Sequence, residues 1–170
     1  KRHREVGVDV TCWWEDMCYS RGPLISVKLF EEFMVPRYKK VTGVLSEYGV
    51  SANILDCDGK IDALVPGWLK GGINVMFPIE ARHTSPLELK KKYGNKIFLM
   101  GGVNKLALIA GPNAIEKEID SLVPLIREGG YIPMVDHRVP PDVSLSNYVY
   151  YLRLKRRAIG RIDAPNLPTI

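Results

Sequence analysis

Long apolar runs are missing from this sequence: none approaches the roughly 18 residues that a membrane helix needs. No membrane partner is therefore expected. Cysteine is scarce, and the odd count of Cys12, Cys18 and Cys57 has no zinc-finger spacing. That excludes a disulfide framework and predicts free thiols, as in a cytosolic protein. The first residues, Lys1-Arg2-His3-Arg4-Glu5, lack the apolar core of a signal peptide, so a cytoplasmic location is expected. There is no GxGxxG fingerprint, P-loop or GxSxG elbow, and no serine or cysteine has an obvious base beside it. Stacking aromatics are also absent from the two basic clusters, Lys1–Arg4 and Arg153–Arg161. Those clusters carry much of the net charge of +5 and read as solvated termini, with no nucleic-acid partner expected.

What is present is one domain's worth of regular pattern. At 170 residues the chain is long enough for a proper core and too short for two ordinary domains. With 46% hydrophobic and 25% charged residues it has the composition of a soluble globular protein. Strands are predicted at Val6–Trp13, Val50–Leu55, Ile73–Phe77, Lys96–Met100 and Tyr131–Val135. Helices are predicted from a Ser26 cap to about Tyr48 with a kink at Pro36, then over Ile61–Lys70 and from the Ser85-x-x-Glu88 capping box to Tyr93. Two more follow over Pro112–Glu128, bent at Pro124, and Leu145–Ala158. Residues 1–159 thus form the folded unit, and 160–170, with two prolines and no periodicity, form a tail. Five apolar strands, each followed by a helix, require a parallel sheet with right-handed crossovers. Either an open doubly wound sheet or part of a (β/α)8 barrel satisfies that pattern. Five units cannot close a barrel of eight, and periodicity by itself favours the open sheet.

The stretch that organises the rest is Gly129–Asn147. It runs from a glycine pair through a short strand to Asp136-His137-Arg138, and Pro140-Pro141 then force an extended exit. In either architecture the carboxyl ends of the strands face one side, where α/β proteins place their chemistry. That side collects Glu15 and Asp16, Asp56 and Asp58, Glu80, and Asp136 with His137. Lys105 and Arg138 are the nearby cations, and Trp13, Trp14, Phe77, Gly101 and Gly102 are the aromatics and glycines. Three readings compete here. Carboxylates beside a histidine run proton transfer. Asp56, Asp58, Glu80 and His137 could hold a divalent metal. The same aspartates could also do no more than cap turns and helices.

Several pieces fall in a specific order: Gly22-Pro23-Leu24-Ile25-Ser26, Phe33-Met34-Val35-Pro36-Arg37-Tyr38, Asp58-Gly59 and Gly101-Gly102-Val103-Asn104-Lys105. The last is Gly130-Tyr131-Ile132-Pro133 through Asp136-His137-Arg138-Val139-Pro140-Pro141-Asp142-Val143. Together, over about Val8–Tyr151, they resemble the carboxyl-terminal part of the uroporphyrinogen decarboxylase superfamily, which holds decarboxylases of haem biosynthesis and corrinoid-dependent methyltransferases. The resemblance implies a (β/α)8 TIM-barrel type of fold of which about the last five βα units are present, against the open sheet. It implies an enzyme acting on a tetrapyrrole-type substrate, whose activity needs the missing barrel half.

His137 stands where the decarboxylases carry a histidine that contacts a substrate carboxylate, but is flanked by Asp136 and Arg138 instead of glycines. The resemblance assigns His137, Asp136 and Asp58 to catalysis, with Asp136 fixing the tautomer of His137. Asp56, Glu80, Lys105, Arg138 and Trp14 are assigned to substrate binding. In the methyltransferases a His-x-Cys pair and a last-strand cysteine bind zinc. Here those places carry Asp56, Asp58 and His137, so the soft ligand set of thiolate zinc chemistry is lacking. A histidine-plus-carboxylate metal site stays open, and so does a site without metal. The alternatives are a corrinoid (cobalamin)-dependent methyltransferase, with a corrinoid protein as partner, and a non-catalytic binding module or decayed fragment. The implied partner of the chain itself is a second copy, by self-association, or the missing barrel half.

Overall fold

Alternation along the strands sets up the whole architecture, because it gives the sheet one face for helices and one for the site. In β1 (Val10–Trp14) Thr11 and Trp13 turn to the helical side, while Val10, Cys12 and Trp14 stay exposed on the other. In β4 (Ala52–Asp56) Asn53 and Leu55 are buried and Ile54 and Asp56 are half-buried. The same alternation runs through β7 (Tyr131–Val135), where Tyr131, Pro133 and Val135 are buried and Ile132 is exposed. Successive side chains on a strand point to opposite faces, so each face follows directly from the sequence. The computed structural model describes residues 7–160. The expected strand start at Val6, the basic cluster at 1–4 and nearly all of the 160–170 tail lie outside the described residues.

Five parallel strands form the sheet, in the order β1-β4-β5-β6-β7, with β5 at Val75–Ile79 and β6 at Phe98–Val103. Each strand lies beside its predecessor and the order never reverses. A doubly wound sheet reverses at its switch point, so the open-sheet preference drawn from periodicity is overturned. This is the wall of a (β/α) barrel, with five βα units present. The small strands β2 (Cys18–Tyr19) and β3 (Gly22–Pro23) pair antiparallel in the loop after β1, where only a turn was expected.

The helices follow the predicted caps. Ser26 accepts from the Leu29 N–H, Ser85 from Glu88 and Ser144 from Asn147, so each satisfies one of the orphan donors at a helix start. The first helical run comprises α1 (Val27–Leu29), a π-helical turn (Phe30–Met34) and α2 (Val35–Glu47). The break expected at Pro36 is this π turn immediately before it, which accommodates a residue unable to donate to the turn behind. Then come α3 (Val65–Lys70), shorter than predicted, α4 (Pro86–Tyr93), α5 (Lys105–Ala110), α6 (Pro112–Glu128) and α7 (Leu145–Ala158). The unpredicted α5 is capped by Asn104, whose side chain accepts from the Leu106 N–H.

The core sits between sheet and helices. Phe30 packs tilted against Tyr38 and edge-on against Trp68, and Trp13 meets the Tyr38 ring at 5.7 Å. Leu55, Met76, Leu99 and Ile115 are fully buried in the same cluster. Burying each such side chain contributes about 1.5–3 kcal/mol. This packing fixes the strand ends that carry the site. No helix among the described residues is long and apolar enough to cross a membrane.

Candidate active site

Register brings the site together. Trp14 pairs with Asp56, and Asp56 with Phe77, so three side chains of one face stand side by side at the carboxyl ends of β1, β4 and β5. Met134 of β7 projects from the same face. With Asp16, Asp58, Pro78, Val135, His137 and Arg138 from the strand ends and following loops, they line a cavity of about 370 Å3. Main-chain bonds hold the rim, from Glu15 N–H to Asp56 O at 2.8 Å and from Cys57 N–H to Phe77 O at 2.8 Å.

Inside this cavity the His137 Nε2 lies 3.4 Å from Asp58 Oδ2, both side chains about a third exposed. Trp14 donates its indole N–H to Asp16 at 2.7 Å and so holds that carboxylate at the mouth. Arg138 lines the wall and forms no salt bridge among the described residues. Asp56 is held above the usual carboxylate range. Burial is the main cause, and the charges of Asp58 and Asp16 add to it while His137 opposes. Three carboxylates, one imidazole and one guanidinium therefore share this cavity.

Asp136 does not hold His137. Adjacent residues leaving a strand point in opposite directions, and the Asp136 side chain, only 1% exposed, turns away into the protein. Its Oδ1 accepts from the Lys105 N–H at 3.0 Å and its Oδ2 from the Ala81 N–H at 3.2 Å. Lys105 Nζ is 3.8 Å from Oδ1. Burial pushes the Asp136 carboxyl up, against the pull of the Lys105 amide and ammonium. The expected Asp136–His137 tautomer contact is thus replaced by Asp58–His137. Glu80 and Lys105, expected to line the pocket, meet each other at 3.4 Å off the cavity wall. Asp56, Asp58, His137, Arg138 and Trp14 do come together there. Asp16 belongs with them, and its place in the acidic pair closing β1 was the signal for it. Glu118, which accepts from the Asn104 N–H at 2.9 Å, gave no signal, being one of several acids on α6.

Among the described residues no three His, Cys, Asp or Glu side chains are arranged to hold a metal ion. Asp56, Asp58 and His137 share a cavity without forming a zinc ligand set. Cys57, between the two aspartates, turns into the core with Cys18, and both are buried free thiols.

The model of the uroporphyrinogen decarboxylase (URO-D) family matches residues 1–157. The chain belongs to this family. A uroporphyrinogen decarboxylase of Helicobacter acinonychis (strain Sheeba) is 25% identical over 129 residues, which are 75% of this chain and 33% of that protein. Among solved structures, a methyltransferase from Methanosarcina mazei superposes with a TM-score of 0.63 at 19% identity, over 90% of this chain and 43% of that one. That likeness speaks for the fold. The chain thus spans about a third of the URO-D relative and less than half of the methyltransferase. Within the family's barrel wall, the cavity lies where parallel-strand barrels carry their chemistry.

The raised Asp56 carboxyl has a measurable consequence. A carboxyl whose folded pKa exceeds its unfolded one binds more protons in the fold, so stability falls as pH rises through that interval. Asp56→Asn is therefore expected to stabilise the chain at neutral pH. The gain should fade as pH drops below the ordinary aspartate range, where both side chains are neutral. Urea denaturation of both forms at pH 3.5 and 7 measures this; a gain independent of pH would place the Asp56 penalty elsewhere.

Proposed function

We propose that the chain supplies the carboxyl-terminal wall of a URO-D-type active site, in which His137, paired with Asp58, handles a carboxylate on a tetrapyrrole-type substrate. The observation that carries this reading is the 3.4 Å His137–Asp58 contact inside a cavity at the strand ends. In such a decarboxylation the bond from carbon to the carboxylate breaks and carbon dioxide leaves. A ring carbon of the pyrrole first takes up a proton so that the ring can accept the electron pair of the breaking bond; a proton is then taken up at the side-chain carbon as the ring proton is lost. A protonated His137 both attracts the carboxylate and holds a proton for that last step, and Asp58, 3.4 Å away, orients the ring. Arg138 offers a second cation for a substrate acid, and Trp14 and Phe77 offer flat apolar surface to a pyrrole.

One observation favours a second reading, methyl transfer with a corrinoid protein as partner. Asp16, Asp56 and Asp58 crowd the cavity with negative charge, and a polycarboxylate must offset it with cations from elsewhere in the barrel. Titration of the chain with uroporphyrinogen, and separately with a methylated corrinoid protein, separates the two. The ligand of the correct reading is expected to bind, and His137→Ala to weaken it about tenfold, equivalent to about 1.4 kcal/mol. Equal affinity of both forms removes His137 from the site. Binding without turnover, even with the remaining barrel units supplied, supports a binding module.

A further inference from the structure

The two residues of the central contact, Asp58 and His137, are each next in sequence to a group held by one partly buried cluster. Gly59, after Asp58, donates its N–H to Glu80 Oε2 at 2.7 Å. Asp136, before His137, takes the backbone N–H groups of Ala81 and Lys105 on its two oxygens. The Lys105 ammonium lies between the two acids, 3.4 Å from Glu80 Oε1 and 3.8 Å from Asp136 Oδ1. One cation thereby joins the loop ends that follow β4, β5, β6 and β7.

The Asp58–Gly59 turn has no slack on its other side. Gly59 has φ +80, and a Cβ there would lie 2.5 Å from the Tyr19 carbonyl carbon. The next residue, Lys60, donates its N–H to Tyr19 O at 3.0 Å. The turn is wedged between the β2 backbone and the Glu80 carboxylate, so the length of the Glu80 side chain sets where Asp58 stands. An ordinary surface ion pair stabilises little and positions nothing. Glu80 differs because one of its oxygens is committed to a backbone N–H, and its side chain is only 15% exposed.

We propose that Glu80 is the positioning residue of this site: it acts through Gly59 to set the Asp58–His137 contact, and Lys105 ties it to Asp136 so that both partners share one anchor. The inference rests on the His137–Asp58 reading above. It reassigns Glu80 and Lys105 from substrate binding to support of the groups that meet the substrate.

The test uses the full chain and two readouts that need no substrate, hydrogen exchange at the Gly59 amide and modification of His137 by diethyl pyrocarbonate, located by peptide mass. Glu80→Ala is expected to speed Gly59 exchange by about tenfold or more and to raise the modification rate of His137 as Asp58 moves off it. Glu80→Gln keeps an acceptor for the Gly59 N–H and should restore both towards the parent values. Should Glu80→Ala fail to fold, Glu80→Asp serves in its place, since it keeps the charge and withdraws the acceptor by one methylene. A folded Glu80→Ala or Glu80→Asp with unchanged Gly59 exchange and His137 reactivity overturns the proposal. So does faster Gly59 exchange with unchanged His137 reactivity, which would leave Glu80 a merely structural residue. Failure of the parent chain to bind uroporphyrinogen is a separate result, and counts against the functional reading only.

Discussion

Asp136→Ala is expected to lower the stability of the chain by on the order of 3 kcal/mol, a large share of what a domain of this size has. Asp136 is 1% exposed and its two oxygens satisfy two backbone donors, Lys105 N–H and Ala81 N–H. Removing both acceptors leaves two N–H groups without partners and leaves the Lys105 ammonium with Glu80 as its remaining partner. The charge itself is not the source of the stability, because burial already pushes this carboxyl up. The acceptors are. Asp136→Asn, which keeps one carbonyl oxygen but turns an amide N–H towards the other donor, should therefore lose an intermediate amount. Urea midpoints at constant m-value give both numbers. A loss under 1 kcal/mol for Asp136→Ala would mean that water replaces the acceptors and that the cluster does not brace the strand ends.

The parts of this fold that sequence made legible are those governed by local rules. Ser26, Ser85 and Ser144 each cap the helix they were expected to cap, because the side-chain oxygen and the orphan N–H are three residues apart. Gly49 follows the first long helix with φ +83, which is the left-handed position glycine fills after a helix. Strand identity was legible from apolar runs, but strand ends were not. Gly101 and Gly102 read as the end of β6, because glycine ordinarily weakens a strand. They lie inside it instead. A Cβ on Gly101 would sit 2.6 Å from the Ile79 backbone nitrogen, so the glycine permits a close approach beside the irregular register of β5 and β6. That need comes from the neighbouring strand and leaves no local trace.

The site was legible as a set and not as a set of pairs. Strand-end position is enough to collect Asp56, Asp58, His137, Arg138 and Trp14 at one cavity. Which carboxylate meets the histidine depends on register and on loop geometry across the sheet. Asp136, the sequence neighbour, faces the other way for the reason that alternation always gives. The order of strands was equally hidden from periodicity. Five βα units read alike whether the sheet reverses or continues, and the decision lies in contacts between Val10–Trp14 and Ala52–Asp56 and their successors.

The chain of 170 residues, purified by itself, is expected to self-associate or to take up further barrel units in trans. Among the described residues β1 and β7 each have one neighbouring strand, which leaves a row of backbone donors and acceptors unpaired along either edge. Among the described residues the sheet face away from the helices is also largely uncovered. Val10, Phe98 and Ile132 are 50%, 43% and 57% exposed on it. With Ile54, Val75 and Met100 they line an apolar hollow of about 590 Å3 below the candidate site. Parallel sheets ordinarily have both faces covered. At roughly 25 cal/mol per Å2, a few hundred Å2 of apolar surface is worth several kcal/mol, and main-chain pairing along the open strand edges adds to it. A charge placed on that face opposes the burial without disturbing the helical side, so Ile132→Lys should shift the chain towards monomer. Sedimentation velocity of the parent chain and of Ile132→Lys measures this. A cooperatively folded parent monomer at micromolar concentration would show that the edges and the bare face are covered from within the chain, and the open-wall account of the sheet would then be wrong.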